Sequence, residues 1–144
     1  PAILGPDLLH CLRSMGHGDE IALVDGNYPA LEHARRLVRA DGHGILPILE
    51  AILQVMPLDR SVPHAILRAA AGNDPAATAD PIHRQIDACC AGLAPGFTPV
   101  ALDGQALYPR IRGAHTIVAT SETALFANVI LRKGVILPRP AGPG

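Results

Sequence analysis

Apolar positions along this chain alternate between helical and strand spacings. Residues Pro6 to Met15 bring Leu8, Leu9, Leu12 and Met15 to one side at helical spacing, with Pro6 suited to a first turn. Gly16 then stands where helices commonly end on a left-handed residue. Ile21 to Val24 is short, apolar and bounded by turn residues, the pattern of a buried strand. Pro29 cannot continue that ladder; Ala30 to Arg36 reads as a turn or brief helix before Leu37 to Ala40, which Asp41-Gly42-His43-Gly44 ends as a turn. Ile45 to Val55 carries Ile45, Ile48, Leu49, Ile52, Leu53 and Val55, a broad helical face despite Pro47 in its first turn.

Beyond the loop bracketed by Pro57 and Pro63, His64 to Ala71 alternates weakly and predicts a strand, and Gly72 to Ala79 a small-residue loop. Pro81 to Cys90 predicts a helix on Ile82, Ile86 and Cys89, and Gly92 to Thr98 breaks it. Pro99 to Leu102 follows as a short strand, Asp103-Gly104 as a turn, and Gln105 to Gly113 as a helix begun irregularly or interrupted by Pro109. His115 to Thr120 predicts a strand on Thr116, Ile117 and Val118; Ser121 to Thr123 turns the chain into another at Ala127 to Leu131. Lys133-Gly134 is then a turn and Val135 to Leu137 a last short strand. Helices alternating with buried strands imply a single three-layer α/β/α domain, class α/β, with a largely parallel or mixed sheet. The domain is expected over residues 1 to 137, with a flexible Pro- and Gly-rich tail over 138 to 144.

Composition narrows the classes. With 49% hydrophobic and 17% charged residues in 144, the chain has enough apolar surface for one core and is not disordered. A net charge of -1 without runs of like charge gives no footprint for nucleic acid or an anionic membrane. No Trp, two Phe and two Tyr leave no aromatic platform for bases. Cys11, Cys89 and Cys90 make a poor disulfide framework and lack zinc spacing, so a reducing cytoplasm fits best. No stretch reaches 18 apolar residues and no secretory signal opens the chain, which predicts a soluble, cytoplasmic protein.

Phosphate-binding loops of the G-x-G-x-x-G and G-x-x-x-x-G-K-[ST] types are absent, as is the G-x-S-x-G nucleophile elbow. His17 lies between Gly16 and Gly18, which have no side chains to shield it, and one strand separates it from Asp25. Asp25 ends that strand, and ligands of open α/β sheets bind outside the strand carboxyl ends, so the two form a candidate site. Read alone, Asp25 is better explained as a strand-end carboxylate capping the turn Gly26-Asn27-Tyr28. His43 also lies between glycines, so glycine flanks are weak evidence by themselves. His10, His33, His64, His83 and His115 fall in predicted elements or at their starts, where ordinary surface or half-buried roles are expected.

The company of His17 says more. Met15-Gly16-His17-Gly18-Asp19-Glu20-Ile21 followed by Val24-Asp25-Gly26-Asn27-Tyr28-Pro29-Ala30 resembles the amino-terminal signature of the fucose mutarotase and ribose pyranase (RbsD/FucU) family, and Val38 to Gly42 resembles its next block. Leu107-Tyr108-Pro109-Arg110 is similar to its F-Y-E-R, and Glu122 to Ile136 to its E-T-A-L-Y-G-N-L-I-L-K-K-G-V-I. The likeness spans roughly residues 3 to 137 and is closer to the fucose branch, whose forms are MGHGDE and the lysine-glycine ending.

The resemblance implies a cofactor-independent and metal-independent isomerase that interconverts anomers of an unphosphorylated aldose, L-fucose or a relative. It implies His17 as proton donor, Asp25 as acceptor from sugar hydroxyls, and Phe126, Ala127 and Asn128 as sugar contacts. Tyr108 and Arg110 are further candidates, with a core or solvated role as the alternative for each. It also implies homo-oligomeric rings, decameric in bacterial members, in which a neighbouring subunit completes each site. The chain departs from the family at Phe126, where a tyrosine hydroxyl is lost, and at Gly104, where relatives often carry Arg or His. A ribose-type pyranose-furanose isomerase and a non-catalytic sugar-binding protein remain the alternatives.

Overall fold

The computed structural model describes residues 1–140. Six strands form one sheet in the order β2-β5-β1-β6-β3-β4: β1 (Glu20–Val24), β2 (Leu37–Ala40), β3 (Ile66–Ala69), β4 (Val100–Leu102), β5 (Thr116–Thr120) and β6 (Val129–Arg132). β1, β2 and β5 pair in parallel, as do β3 and β4, while β6 runs antiparallel between β1 and β3. The odd strand follows from chain length. Only residues 121 to 128 separate β5 from β6, and a parallel return needs a crossover of about a dozen residues or more. The chain therefore folds straight back, and to reach its place beyond β1 this connection crosses the carboxyl end of β1.

Helices cover both faces. The first core holds Leu8 and Leu12 of α1 (Pro6–Ser14), Ile45, Ile48, Leu49 and Ile52 of α3 (Ile45–Val55) and Ile86 and Cys90 of α4 (Pro81–Leu93), packed on Ile21, Leu23, Val118, Val129 and Leu131. The second packs Leu107 and Ile111 of α5 (Gly104–Gly113) and Ala30 of the one-turn α2 (Ala30–His33) on Ala22, Val24, Ile117 and Ile130. Alternate residues of β1 thus serve opposite layers, giving the expected α/β/α sandwich.

Several local readings are corrected. Val135 to Leu137 is not a strand; after an isolated bridge between Lys133 and Leu58 the chain runs on without regular structure. β3 is shorter than expected, and all four of its residues are buried, Arg68 included, because that guanidinium is held by Asp87 at 2.8 and 3.0 Å. Pro109 does not interrupt α5: it lies on the solvent side while Leu107 and Ile111 keep the buried face. Asp103 is that helix's N-cap rather than a turn, accepting from the Ala106 N–H at 2.8 Å. Of the expected tail, residues 138 to 140 are exposed and irregular, and 141 to 144 lie outside the described residues. Among the described residues no helix is long and apolar enough to cross a membrane.

Candidate functional site

β1 carries chemistry at both of its ends. Four steps of about 3.3 Å, about 13 Å in all, separate Glu20 from Val24, so His17 and Asp25 of one chain do not meet. Each lines a different cavity.

At the carboxyl end the β5–β6 connection closes over Asp25. The Asp25 N–H donates to Asn128 Oδ1 at 2.9 Å, Asp25 Oδ1 accepts from the Asn27 N–H at 3.0 Å, and Oδ2 accepts from the Ala127 N–H at 3.4 Å. The turn-capping role of Asp25 is therefore real, and the same bonds fix Ala127 and Asn128 beside it. Asn128 is buried with its oxygen committed to Asp25, while no hydrogen bond from its Nδ2 occurs among the described residues. Phe126 adopts φ 55°, a left-handed conformation uncommon for an aromatic residue. Its carbonyl accepts from His83 Nε2 at 2.7 Å, and His83 Nδ1 accepts from the Asp80 N–H, which fixes the neutral Nε2–H tautomer. His83 is fully buried, not a surface or half-buried residue as expected, because it braces this loop.

The cavity of about 320 Å³ beside these groups is lined by Asp25, Tyr28, His33, Tyr108, Arg112, Phe126 and Asn128 among others. That volume is at the small-ligand end of protein pockets. Gly104 borders an adjoining hollow that shares Tyr108 and Arg112. A Cβ at Gly104 would lie 2.8 Å from Tyr108 Cε2 and 3.1 Å from Asn73 Nδ2, so this neighbourhood is already filled. Asn73 Nδ2 donates to the Tyr108 hydroxyl at 3.2 Å, and its buried Oδ1 has no hydrogen-bond partner among the described residues. Arg110 is not in the cavity; it pairs with Glu20 near the other end of β1.

At the amino end His17 projects from the Gly16-His17-Gly18 turn with its side chain half exposed. Gly18 has φ 86° and donates to the Lys133 carbonyl. The facing loop is clamped to the same segment: the Gly134 N–H donates to Pro57 O, Asp59 N–H to Arg132 O, and a Cβ at Gly134 would lie 2.3 Å from Leu58 O. Only glycine allows that approach. Lys133 itself is buried, its Nζ donating to the carbonyls of Leu12 and Met15 at the end of α1, and burial pushes its pKa below the ordinary lysine value.

The clamp places Asp59 against His17. Asp59 is 1% exposed; Oδ1 accepts from His17 Nε2 at 3.0 Å and from Ser61 Oγ at 2.6 Å, and Oδ2 accepts from Arg132 Nε at 2.8 Å. The Ser61 hydroxyl foremost, then Arg132, hold its carboxyl well below the usual carboxylate range, against an opposing desolvation. A carboxylate only accepts, so Nε2 carries the shared proton and His17 Nδ1 is the nitrogen turned outward. The residues around them, Leu53, Leu58, Leu93, Phe97, Val135 and Leu137, are largely apolar. Sequence reasoning missed Asp59, Ser61 and Arg132 here, and Tyr28, His33 and Arg112 at the other end. The only signal for Asp59 was a lone acidic residue in a proline-bracketed loop. Among the described residues no group of three or more His, Cys, Asp or Glu is arranged to hold a metal.

A parallel-rich sheet with a cavity at the strand carboxyl ends, apolar in most of its lining and holding a few convergent polar groups, is the architecture of a small-metabolite α/β protein. The model of the RbsD / FucU transport protein family matches residues 1–136, and the chain belongs to that family. It is 38% identical to the fucose mutarotase of Bos taurus, over 96% of this chain and 94% of that protein, and 37% identical to the fucose mutarotase of Homo sapiens, over 97% and 94%. The crystal structure of the fucose mutarotase from Streptococcus pneumoniae in complex with L-fucose superposes with a TM-score of 0.87 at 39% identity, covering 95% of this chain and 97% of that one.

Proposed function

We propose that this chain is a cofactor-independent sugar mutarotase, interconverting the anomers of L-fucose or a related unphosphorylated aldose by acid-base ring opening. The observation that carries the reading is its whole-length likeness to fucose mutarotases, one of them solved with L-fucose. Ring opening needs one proton delivered to the ring oxygen and another removed from the anomeric hydroxyl, after which the aldehyde recloses on its other face. His17 is the proton donor: as the imidazolium it gives its Nδ1 proton to the ring oxygen as the ring C–O bond opens, then takes the anomeric hydroxyl proton back at Nδ1 to leave the aldehyde. Asp59, holding Nε2–H, is its positioning residue. Asp25, Tyr108, Phe126, Ala127 and Asn128 hold the sugar.

One chain keeps these two halves apart, so the reaction takes place in a homo-oligomeric ring where His17 of one copy serves the Asp25 cavity of the next. Exposed Val135, Ile136 and Leu137, near His17, are the apolar surface for that contact. The cysteines are all unpaired thiols, which supports a reducing, cytoplasmic setting. A ribose-type pyranose-furanose isomerase is less favoured, because the relatives from Bos taurus and Homo sapiens, each over one-third identical, bear the name fucose mutarotase.

Exchange NMR on L-fucose, D-ribose and D-galactose tests the reading. Accelerated exchange between fucose anomers supports it. Faster pyranose-furanose than anomer exchange would favour the ribose-type alternative, and sugar binding with spontaneous exchange rates throughout would leave only a binding protein.

A further inference from the structure

The cavity beside Asp25 contains a polarised chain of side chains. Arg112, in the last turn of α5, and His33, at the end of α2, both line it. Arg112 Nη2 lies 2.8 Å from His33 Nε2, and His33 Nδ1 lies 2.8 Å from the Tyr28 hydroxyl. A guanidinium has no acceptor, so Nε2 must accept; the imidazole proton then sits on Nδ1 and is donated to the Tyr28 oxygen. With its oxygen engaged from behind, Tyr28 has its own proton free for a ligand. Burial, against the opposing pull of Arg112, raises the Tyr28 pKa above the ordinary phenol value, so the hydroxyl keeps that proton.

Tyr108 repeats the arrangement, since Asn73 donates to its oxygen and leaves its proton free. The two rings sit with centroids 6.1 Å apart. Two phenol protons, the free Asn128 amide and the rest of the Arg112 guanidinium therefore face one small cavity. Its carboxylate, Asp25, already accepts from two backbone N–H groups. Such a wall suits a ligand rich in oxygen acceptors, the ring and hydroxyl oxygens of a neutral monosaccharide.

We propose that Arg112, acting through His33, sets the Tyr28 hydroxyl as a hydrogen-bond donor to an oxygen of the bound sugar, making Tyr28 a specificity contact and Arg112 and His33 its positioning residues. The proposal rests on the mutarotase reading only for its choice of sugar.

The test compares Tyr28→Phe, Arg112→Ala, Arg112→Lys and the Tyr28→Phe/Arg112→Ala double variant by exchange NMR on L-fucose, with sugar affinity measured by calorimetry on the same samples. Tyr28→Phe keeps the ring and removes only the donor. Each of Tyr28→Phe and Arg112→Ala is expected to raise KM about five- to tenfold with kcat nearly unchanged, the scale of one neutral hydrogen bond. The double variant should be no worse than the single ones, because both act on one bond, and Arg112→Lys should recover most of the loss. Unchanged KM and affinity, or losses that simply multiply in the double variant, would overturn it. If the parent exchanges no sugar, the mutarotase reading fails by itself, and the affinities still decide the Tyr28 contact.

Discussion

The two ends of the β1–β6 pair are built from the same two antiparallel strands but hold opposite kinds of chemistry. At one end Asn128, just before β6, is bonded to Asp25, just after β1; at the other Arg132, the last residue of β6, is bonded to the carboxylate that grips His17. The Asp25 end is a small, largely apolar cavity into which a few hydrogen-bonding groups converge, braced by the fully buried His83. The His17 end has one half-exposed imidazole on a buried, heavily bonded carboxylate, amid apolar side chains. In the proposed reading one end holds the sugar and the other moves a proton, and the two line different cavities of a single chain.

This contrast can be broken by substitution at either end. The largest effect is expected from His17→Ala, which should slow anomer exchange about 10²- to 10⁴-fold, the usual contribution of a general acid or base. Sugar affinity by calorimetry should stay close to that of the parent; exchange at the parental rate would remove His17 from the chemistry. Asp25→Ala should act in the opposite way, abolishing measurable sugar binding. Because it leaves the Asn27 and Ala127 N–H groups without their acceptor, it should also cost about 2–3 kcal/mol in urea unfolding.

The smallest effect belongs to Asp59→Asn, expected to slow exchange about tenfold with sugar affinity retained, since it removes an orienting charge rather than the reacting group. It also has a pH signature. Asp59's folded pKa lies below its unfolded value of about 3.9, so its contribution is fully present above that pH and is lost as pH falls toward the folded value. Unfolding midpoints measured from about pH 5 to pH 2 should therefore fall less steeply in Asp59→Asn than in the parent. Parallel curves would show that Asp59 is not the carboxylate responsible.

Much of the fold was legible because its helices and central strands have regular apolar spacing: α1, α3 and β1 lie close to where their periodicity puts them. β3 was blurred by Arg68, whose charge reads as polar though it is buried against Asp87, a partner far along the chain. Val135 to Leu137 is as apolar as a strand, yet Leu137 is 78% exposed, and sequence cannot distinguish surface kept for a partner from surface kept for a sheet. The site followed the same division. Asp25 and Asn128 were legible as candidates only through family likeness, since their bond spans 103 residues. Asp59, His33 and Arg112 were not, because their contacts also span long separations, 42 residues from His17 to Asp59 and 79 from His33 to Arg112, and no matched family motif singled them out.

Mixing two inactive variants tests the division of labour most directly. His17→Ala retains an intact Asp25 cavity and Asp25→Ala an intact His17. When the two are co-expressed or exchanged as subunits, contact between unlike copies should rebuild about a quarter of the sites and restore fucose anomer exchange to that extent. Mixed assemblies, verified by mass, that remain as inactive as either parent variant would contradict a site shared between copies.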